Sequence, residues 1–397
     1  MATEKNKNNR ISRNVLMMGL VSFFNDFASE MVYPIVPIFL TTVLGAPISA
    51  VGLIEGIAES TASLLKAVSG RMSDKMKKRK IFVIFGYSFS TLSKVILGFA
   101  NAWPMVLFGR FVDRFGKGAR TSARDALIAE SSTESNRGRS FGYHRAMDTM
   151  GAVVGPLSAL LLLHYFSNDL RTIFFIAFIP GIIGVILLLA FVRETPISVF
   201  QKPIQKLSWK NLDTSFKIFL FISFIFAIGN SSDAFLILRA QNLGLSVTMA
   251  VLAYVLFNFT YVLFSVPAGI ISDKIGSRKV LFAGFVLFGL VYLFFGLTQS
   301  SAMPWILFPI YGCYMALTEG IGKAYIANMV SHENSGTVFG IYQTVIGLCT
   351  FFASLIAGLL WDHVSVSAPF VFGSVMAFVS AFLFFIMEKF RKNKLAI

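Results

Sequence analysis

Two stretches of the chain decide its fold: GRMSDKMKKR at residues 70–79 and GIISDKIGSRK at residues 269–279. Both follow a long apolar segment, both keep the pattern Gly-x-x-x-Asp-Lys before a basic cluster, and they lie 199 residues apart. The pair Phe141-Gly142 returns as Phe339-Gly340 at nearly the same spacing, 198 residues. Repeats in one register indicate a duplication, and duplicated halves with a site between them are typical of transporters.

Composition indicates that most of the chain lies in lipid. The 397 residues are 55% hydrophobic and 14% charged, with a mean hydropathy of +0.71. Because a soluble domain is about one-quarter charged, these values exclude an ordinary soluble enzyme, a disordered chain and a disulfide scaffold. A membrane helix needs about 20 apolar residues, and we identify twelve such segments near residues 14–40, 48–72, 80–100, 104–125, 139–165, 171–192, 215–242, 247–272, 279–299, 303–329, 335–361 and 367–388.

The basic residues predict the orientation of the chain. Connections such as 41–47 and 298–304 lack Lys and Arg, whereas the alternate connections and both termini carry most of the net charge of +15. The positive-inside rule therefore predicts cytoplasmic termini and an even number of spans. We expect a multi-pass protein of the bacterial inner membrane, with lipid rather than nucleic acid as its surroundings. The predicted domains are a bundle at residues 1–192, a linker at 193–214 and a second bundle at 215–397.

The duplicated loop motif resembles the signature of the major facilitator superfamily, and the resemblance covers essentially the whole chain. Gly151-Ala-Val-Val-Gly155-Pro156-Leu-Ser-Ala159 in span five is similar to a segment associated with the antiporters of that superfamily, with Ala159 in place of a final glycine. The resemblance implies an all-α membrane fold of twelve helices in two pseudo-symmetric bundles. It also implies alternating access with spans one, four, seven and ten around a central cavity, and it favours export.

Ionisable residues inside the apolar spans are the candidate functional residues, because a charge in hydrocarbon costs about 3 kcal/mol. Carboxyl groups are candidates for proton coupling because burial and neighbouring charges tune their protonation. Arginines keep their charge and can hold a carboxylate or phosphate in two-point contact. The alternative is that many of these groups form structural ion pairs with each other. The proton-coupling candidates are Asp26, Glu30, Glu55, Glu59, Asp233 and Glu319, and the substrate-cavity candidates are Arg110, Arg114, Lys117, Asn230 and Lys323.

Spans one and four differ in the sign of their charge. Asp26 and Glu30 are four residues apart, so they share a helix face, and one proton shared between them would relieve their repulsion. In span four, one basic stripe along the helix comprises Arg110, Asp113, Arg114, Lys117 and Arg124. Arg110 and Arg114 of this stripe are expected to meet the substrate. The alternative is that spans one and four simply pair with each other.

A second group of residues is predicted to control access. The carboxylates that end the repeated motifs lie at cytoplasmic helix ends, where they can cap a helix or pair with a base of a neighbouring span; the alternative is that these loops are topology signals only. The proline pair Pro34 and Pro37 is expected to kink the outer half of span one. The gate candidates are Asp74, Asp273, Arg145, Asp148, Gly151, Gly155 and Pro156.

These patterns together predict a monomeric secondary transporter that exports a small organic solute or drug in exchange for protons. Uptake of an anionic nutrient or metal chelate is the first alternative, and metal-ion transport is the second. A membrane enzyme or sensor is the third; we expect no enzyme, because no nucleophile–base spacing stands out. No metal centre is predicted, since no paired His or Cys accompanies the acids, and no nucleotide cofactor, since Gly116-Lys117-Gly118 lacks the spacing of a phosphate-binding loop.

The predicted orientation is tested by cysteine labelling in a variant in which Cys313 and Cys349 are alanine. Gly45→Cys should react with an impermeant maleimide on intact cells, because it lies in a predicted outer connection. Ser198→Cys should react only after permeabilisation. The reverse pattern of labelling would contradict the predicted topology.

Overall fold

The computed structural model describes residues 11–76, 78–133, 136–166, 169–194, 212–327, 329 and 335–395. Within these ranges, residues 67, 74, 137, 138, 323, 324, 327, 335–337, 339 and 389–395 are described by their backbone alone. The described chain is helical throughout and contains no strand. The predicted linker at 193–214 lies mostly outside these ranges.

Twelve spans follow one another along the chain, as predicted. The first half consists of α1 (Arg13–Val32), α2 (Ile48–Met76), α3 (Lys80–Gly98), α4 (Trp103–Glu130), α5 (Arg137–Tyr165) and α6 (Leu170–Phe191). The second half consists of α7 (Thr214–Gly229 and Ala234–Asn242), α8 (Val247–Ile275), α9 (Ser277–Leu297), α10 (Pro304–Ala327), α11 (Ser335–His363) and α12 (Ala368–Leu395).

Ten of the described helices are long and apolar enough to cross a membrane. The two others are α4, which carries the basic stripe, and α10. Several helices start at a residue whose side chain accepts a backbone N–H: Ser12, Asp169, Asp213 and Ser246. Such caps satisfy amide groups that have no partner inside the helix.

Two spans are interrupted. Helix α1 ends at Val32, just before Pro34, and continues through the short helix Val36–Ile38 and a π-helical turn at Phe39–Val43. This confirms the predicted kink, because a proline cannot donate the backbone hydrogen bond of a continuous helix. Helix α7 stops at Gly229 and restarts at Ala234, a break that the apolar pattern alone did not predict.

The chain divides into two compact units. The first comprises residues 1–46 and 57–200. In it α1 packs against α5 and α6, and α3 packs against α4 and α6. Its core lies between α1, α3, α4 and α6 and contains Val15, Met18, Val21, Val83, Tyr87, Ala123, Leu127, Ile128, Val185, Leu188 and Val192.

The second unit comprises residues 47–56 and 201–397, and it repeats the same helix pairings. Helix α7 packs against α11 and α12, and α9 packs against α10 and α12. The start of α2 belongs to this unit: Asp362 of α11 accepts the backbone N–H groups of Ile48 at 3.2 Å and Ser49 at 2.7 Å. A Cβ at Gly358 would lie 2.8 Å from Ser49 Cα, so the two helices touch through their backbones.

The arginines of the two repeated motifs anchor helix ends in the same way. Arg79 is buried and lies 3.3 Å from Glu130 at the end of α4. Arg278, 199 residues later, lies 2.7 Å from Glu388 near the end of α12. Each motif therefore ties the start of the following helix to a glutamate at the end of another helix of its own unit.

A further buried arginine caps the C-terminal end of α9. Arg239 donates to the carbonyl oxygens of Phe295 at 3.0 Å and Thr298 at 2.7 Å, and to Asn242 Oδ1 at 2.6 Å. It is 2% exposed. A cation that binds the last carbonyls of a helix satisfies groups that the helix itself leaves unpaired.

Replacing Arg239 by methionine should therefore destabilise the protein by about 3 kcal/mol, because two buried carbonyl groups lose their donors. The expected result is a lower melting temperature of the purified protein in detergent. Arg71→Met is the matched control, since Arg71 is exposed on α2. Equal melting temperatures for the Arg239 variant and the control would contradict the capping role.

Candidate functional site

The first unit contains a tight contact between α1 and α5. A Cβ at Gly151 would lie 2.5 Å from the carbonyl oxygen of Phe23 and 3.1 Å from Asp26 Cβ. One turn further along α5, a Cβ at Gly155 would lie 2.7 Å from the carbonyl oxygen of Phe27 and 2.9 Å from Glu30 Cβ. Both glycines are required because any side chain would collide with the backbone of α1. The antiporter-like segment thus lies against the two predicted proton carriers of span one.

Polar side chains continue the same contact toward the start of both helices. Ser22 Oγ is hydrogen-bonded to His144 Nε2 at 2.7 Å and to Tyr87 OH at 2.8 Å. One turn along each helix, the carboxyl groups of Asp26 and Asp148 are in hydrogen-bonding contact. Ser22 and Asp26 share one face of α1, and His144 and Asp148 share one face of α5. The two helices therefore run parallel and meet at successive polar pairs.

Helix α4 supplies the cations next to these pairs. Arg124 Nη1 lies 3.8 Å from Asp148 Oδ1, and Arg124 Nη2 lies 3.0 Å from Asp125 Oδ1. The guanidinium of Arg120 lies 4.6 Å from the ring centroid of Tyr87 and donates to Ser90 Oγ at 2.7 Å. Neither Arg120 nor Arg124 was among the site residues predicted from the sequence, although Arg124 lies on the basic stripe of α4.

A second charged cluster lies nearer the start of α4. Asp113 is buried and accepts a hydrogen bond from Lys94 at 2.8 Å, and Lys94 also donates to Ser29 at 3.1 Å. Asp113 Oδ2 lies 3.9 Å from Arg110 and 4.0 Å from Arg114. Lys94 of α3 is therefore part of this cluster.

The two predicted substrate-binding arginines share a tyrosine. Arg114 Nη2 forms an ion pair with Glu59 Oε1 at 2.9 Å. The guanidinium groups of Arg110 and Arg114 lie 5.5 Å and 5.9 Å from the ring centroid of Tyr33. Lys117, the third basic candidate on α4, is exposed and forms no ion pair with a described residue. The arrangement places two fixed positive charges against one aromatic face.

In the second unit, the polar candidates surround the break in α7. Asp233 accepts a hydrogen bond from Tyr311 at 2.7 Å, and Asn230 donates to Tyr314 OH at 3.2 Å. Both tyrosines are buried on α10, and Tyr311 packs 5.1 Å from Tyr314, centroid to centroid. Polar groups freed by an interrupted membrane helix need such partners.

The remaining acidic candidates of the second unit bind hydroxyl groups. Glu55 is 1% exposed and accepts a hydrogen bond from Ser232 at 3.4 Å. Glu319 accepts a hydrogen bond from Tyr261 of α8. The side chain of Lys323 lies outside the described residues, so the relation of Glu319 to Lys323 stays a prediction.

The predicted gate residues differ in their surroundings. Asp273 is exposed and forms no ion pair with a described residue, and the side chain of Asp74 lies outside the described part of the chain. Arg145 is exposed on α5, whereas Asp148 faces α1. Gly151, Gly155 and Pro156 lie inside α5. Sequence reasoning missed Arg79 and Arg278 as the anchoring residues of the two motifs; their spacing, 199 residues, was the signal that could have found them.

Comparison with known proteins agrees with this architecture. The sequence profile of the Major Facilitator Superfamily matches residues 18–238 and 218–396. An uncharacterised MFS-type transporter of Methanocaldococcus jannaschii is 39% identical over 387 residues, 96% of each chain. Multidrug resistance protein 1 of Bacillus subtilis is 25% identical over 386 residues, which cover 92% of this chain and 93% of the relative.

A solved structure gives the same fold. The crystal structure of the nucleoside transporter NupG superposes with a TM-score of 0.76 at 14% sequence identity, and the match covers 94% of this chain and 99% of NupG. The duplicated twelve-helix fold and these matches show that the chain belongs to the Major Facilitator Superfamily of membrane transporters.

Proposed function

We propose that this transporter exports a small organic solute or drug in exchange for protons. It works as a monomer in the inner membrane of a bacterium, with both termini in the cytoplasm. The transporter works by alternating access between two halves, residues 1–192 and residues 215–397. Residues 193–214 connect them. The similarity to a relative named for multidrug resistance supports export over uptake.

The observation that carries this proposal is the position of Asp26 and Glu30 at the glycine contact between α1 and α5. A carboxyl group loses its negative charge when it binds a proton, and the free-energy cost of burying it then falls. At Gly151 and Gly155 the two helices have no side chains between them to absorb such a change. Proton binding at Asp26 or Glu30 is therefore coupled to the packing of α1 on α5.

The basic cluster of α4 supplies a place for the solute. Arg110 and Arg114 present fixed charge beside Tyr33, and their geometry suits a carboxylate or another planar polar group. In the second unit, Asn230 and Asp233 at the break in α7 offer a further set of polar groups. Glu55, Glu59, Asp233 and Glu319 remain proton-coupling candidates, and Lys117 and Lys323 remain cavity candidates.

A second candidate function is the uptake of an anionic solute with protons. The position of Arg110 and Arg114 beside one tyrosine ring favours it, because a guanidinium group can hold an anion in two-point contact. Direction of transport separates the two candidates: an exporter releases protons into the cytoplasm as the solute leaves, whereas a symporter moves both inward.

Everted membrane vesicles distinguish these two directions. Respiration acidifies the vesicle interior and quenches an acridine dye, and a compound that the protein exchanges for protons should restore the fluorescence. We expect at least one member of a panel of drugs and organic metabolites to do so with the wild-type protein. Asp26→Asn should abolish the response, because an amide cannot carry the proton.

The matched control is Asp213→Asn, the same chemical change at the N-terminus of α7. Asp213 caps the helix through one oxygen, which asparagine retains, so this variant should respond like the wild type. Export would be excluded if no compound restored the fluorescence while right-side-out vesicles took up an anionic member of the panel in a proton-dependent manner.

A further inference from the structure

We infer that Asp26 and Asp148 together form the proton-binding site of the transporter, with one proton shared between the two carboxyl groups and Arg124 as its counter-charge. This inference rests on the proposed function and names the group that would couple it to protons. It differs from the sequence prediction, in which Glu30 was the partner of Asp26 and Asp148 belonged to the gate.

The contact itself requires a proton. Asp26 comes from α1 and Asp148 from α5, and their carboxyl groups lie in hydrogen-bonding contact. An ionised carboxylate only accepts hydrogen bonds, so two of them can bond to each other only if one carries a proton. Asp148 Oδ1 is buried and receives no hydrogen bond from any donor in the described chain.

One shared proton relieves the repulsion between the two carboxyl groups. With that proton the pair carries a single negative charge, and Arg124 lies 3.8 Å from Asp148 Oδ1 as its counter-charge. With no proton, two adjacent carboxylates would lie beside Arg124, which is also paired with Asp125 at 3.0 Å. Like charges in one site cannot both ionise at low cost, and the two groups titrate as a unit.

Charged and titratable side chains of α3, α4 and α5 surround the pair. Helix α4 contributes Lys117 and Arg120 as more distant cations, and α5 contributes His144 and Arg145. Helix α3 contributes Tyr87, which is hydrogen-bonded to Ser22 one turn from Asp26. Helix α6 also packs on α1, but its one titratable side chain, Arg171, lies at the opposite end of α6 from the start of α1.

The packing on both sides keeps the two carboxyl groups in register. The hydrogen bond between Ser22 and His144 lies one turn before the pair, and the contact of Gly151 with the backbone of α1 lies one turn after it. Because each helix is held on both sides of the pair, a sliding or tilting movement of α5 on α1 must separate the carboxyl groups. Separation removes the shared hydrogen bond, so movement and proton release are linked.

The site is tested by infrared spectroscopy of the purified protein in lipid, without any substrate. An exposed aspartate is ionised between about pH 8 and about pH 5. A titration over this range should nevertheless show the carbonyl band of a protonated carboxyl group. Incorporation of 13C-labelled aspartate should shift this band. Asp26→Asn and Asp148→Asn should each remove it, and the control Asp213→Asn should retain it.

The counter-charge has its own test. Arg124→Gln removes the cation that stabilises the singly charged pair, so the band should persist to higher pH than in the wild type. Absence of an aspartate-derived band in the wild-type protein at neutral pH would overturn the inference whether or not any variant folds. A band that survives both asparagine substitutions would also overturn it. Neither result bears on the direction of transport, which the vesicle experiment measures separately.

Discussion

The cost of removing an ionised side chain from water is the constraint on which this structure depends. Hydrocarbon offers no hydrogen bonds, so each charge inside a span needs an opposite charge, a hydrogen-bond donor or a proton. The first unit meets this requirement with pairs that join different helices: Lys94 with Asp113 and Arg114 with Glu59. Arg239 in the second unit meets it with two backbone carbonyls and the side-chain oxygen of Asn242. These contacts fix which helices are neighbours, because a charge buried without its partner would destabilise the fold.

Close backbone packing is the complement of this charge pairing. Glycines allow α5 to lie against α1 and α11 to lie against the start of α2, and there a side chain of any kind would collide with the opposing backbone. In a membrane, where apolar side chains gain nothing by leaving lipid, such contacts supply much of the attraction between helices. Two polar pairs and then two glycine contacts follow one another along one face of α5. The same face therefore carries both the proposed proton-binding groups and the close packing of α5 on α1.

The sequence was sufficient to predict the fold, but it was insufficient to predict which side chains of different helices meet. Twelve apolar segments, a motif repeated after 199 residues and the placement of basic loops predicted the architecture, because span length and loop charge are local properties. The break in α7 was missed: Gly229-Asn230-Ser231-Ser232 is a run of poor helix formers inside an apolar stretch, and hydropathy does not register it. Helical periodicity places Glu30 on the same face of α1 as Asp26, but it cannot find Asp148, which the structure brings to Asp26 from another helix.

Comparison of the two duplicated units separates the contacts that support the fold from the residues that differ between the units. Arg79 with Glu130 and Arg278 with Glu388 keep the same anchoring role in both units, and the helix pairings recur. The interiors have diverged. The first unit contains ion pairs between carboxyl groups, lysine and arginines on α2, α3, α4 and α5, whereas at the break in α7 Asp233 and Asn230 of the second unit are hydrogen-bonded to tyrosine hydroxyls. Because the two units began as copies, acids that meet bases in one and phenols in the other indicate different tasks. The shared proton that we propose lies in the unit in which acids meet bases, since a phenol beside a carboxyl group supplies no positive charge to balance it.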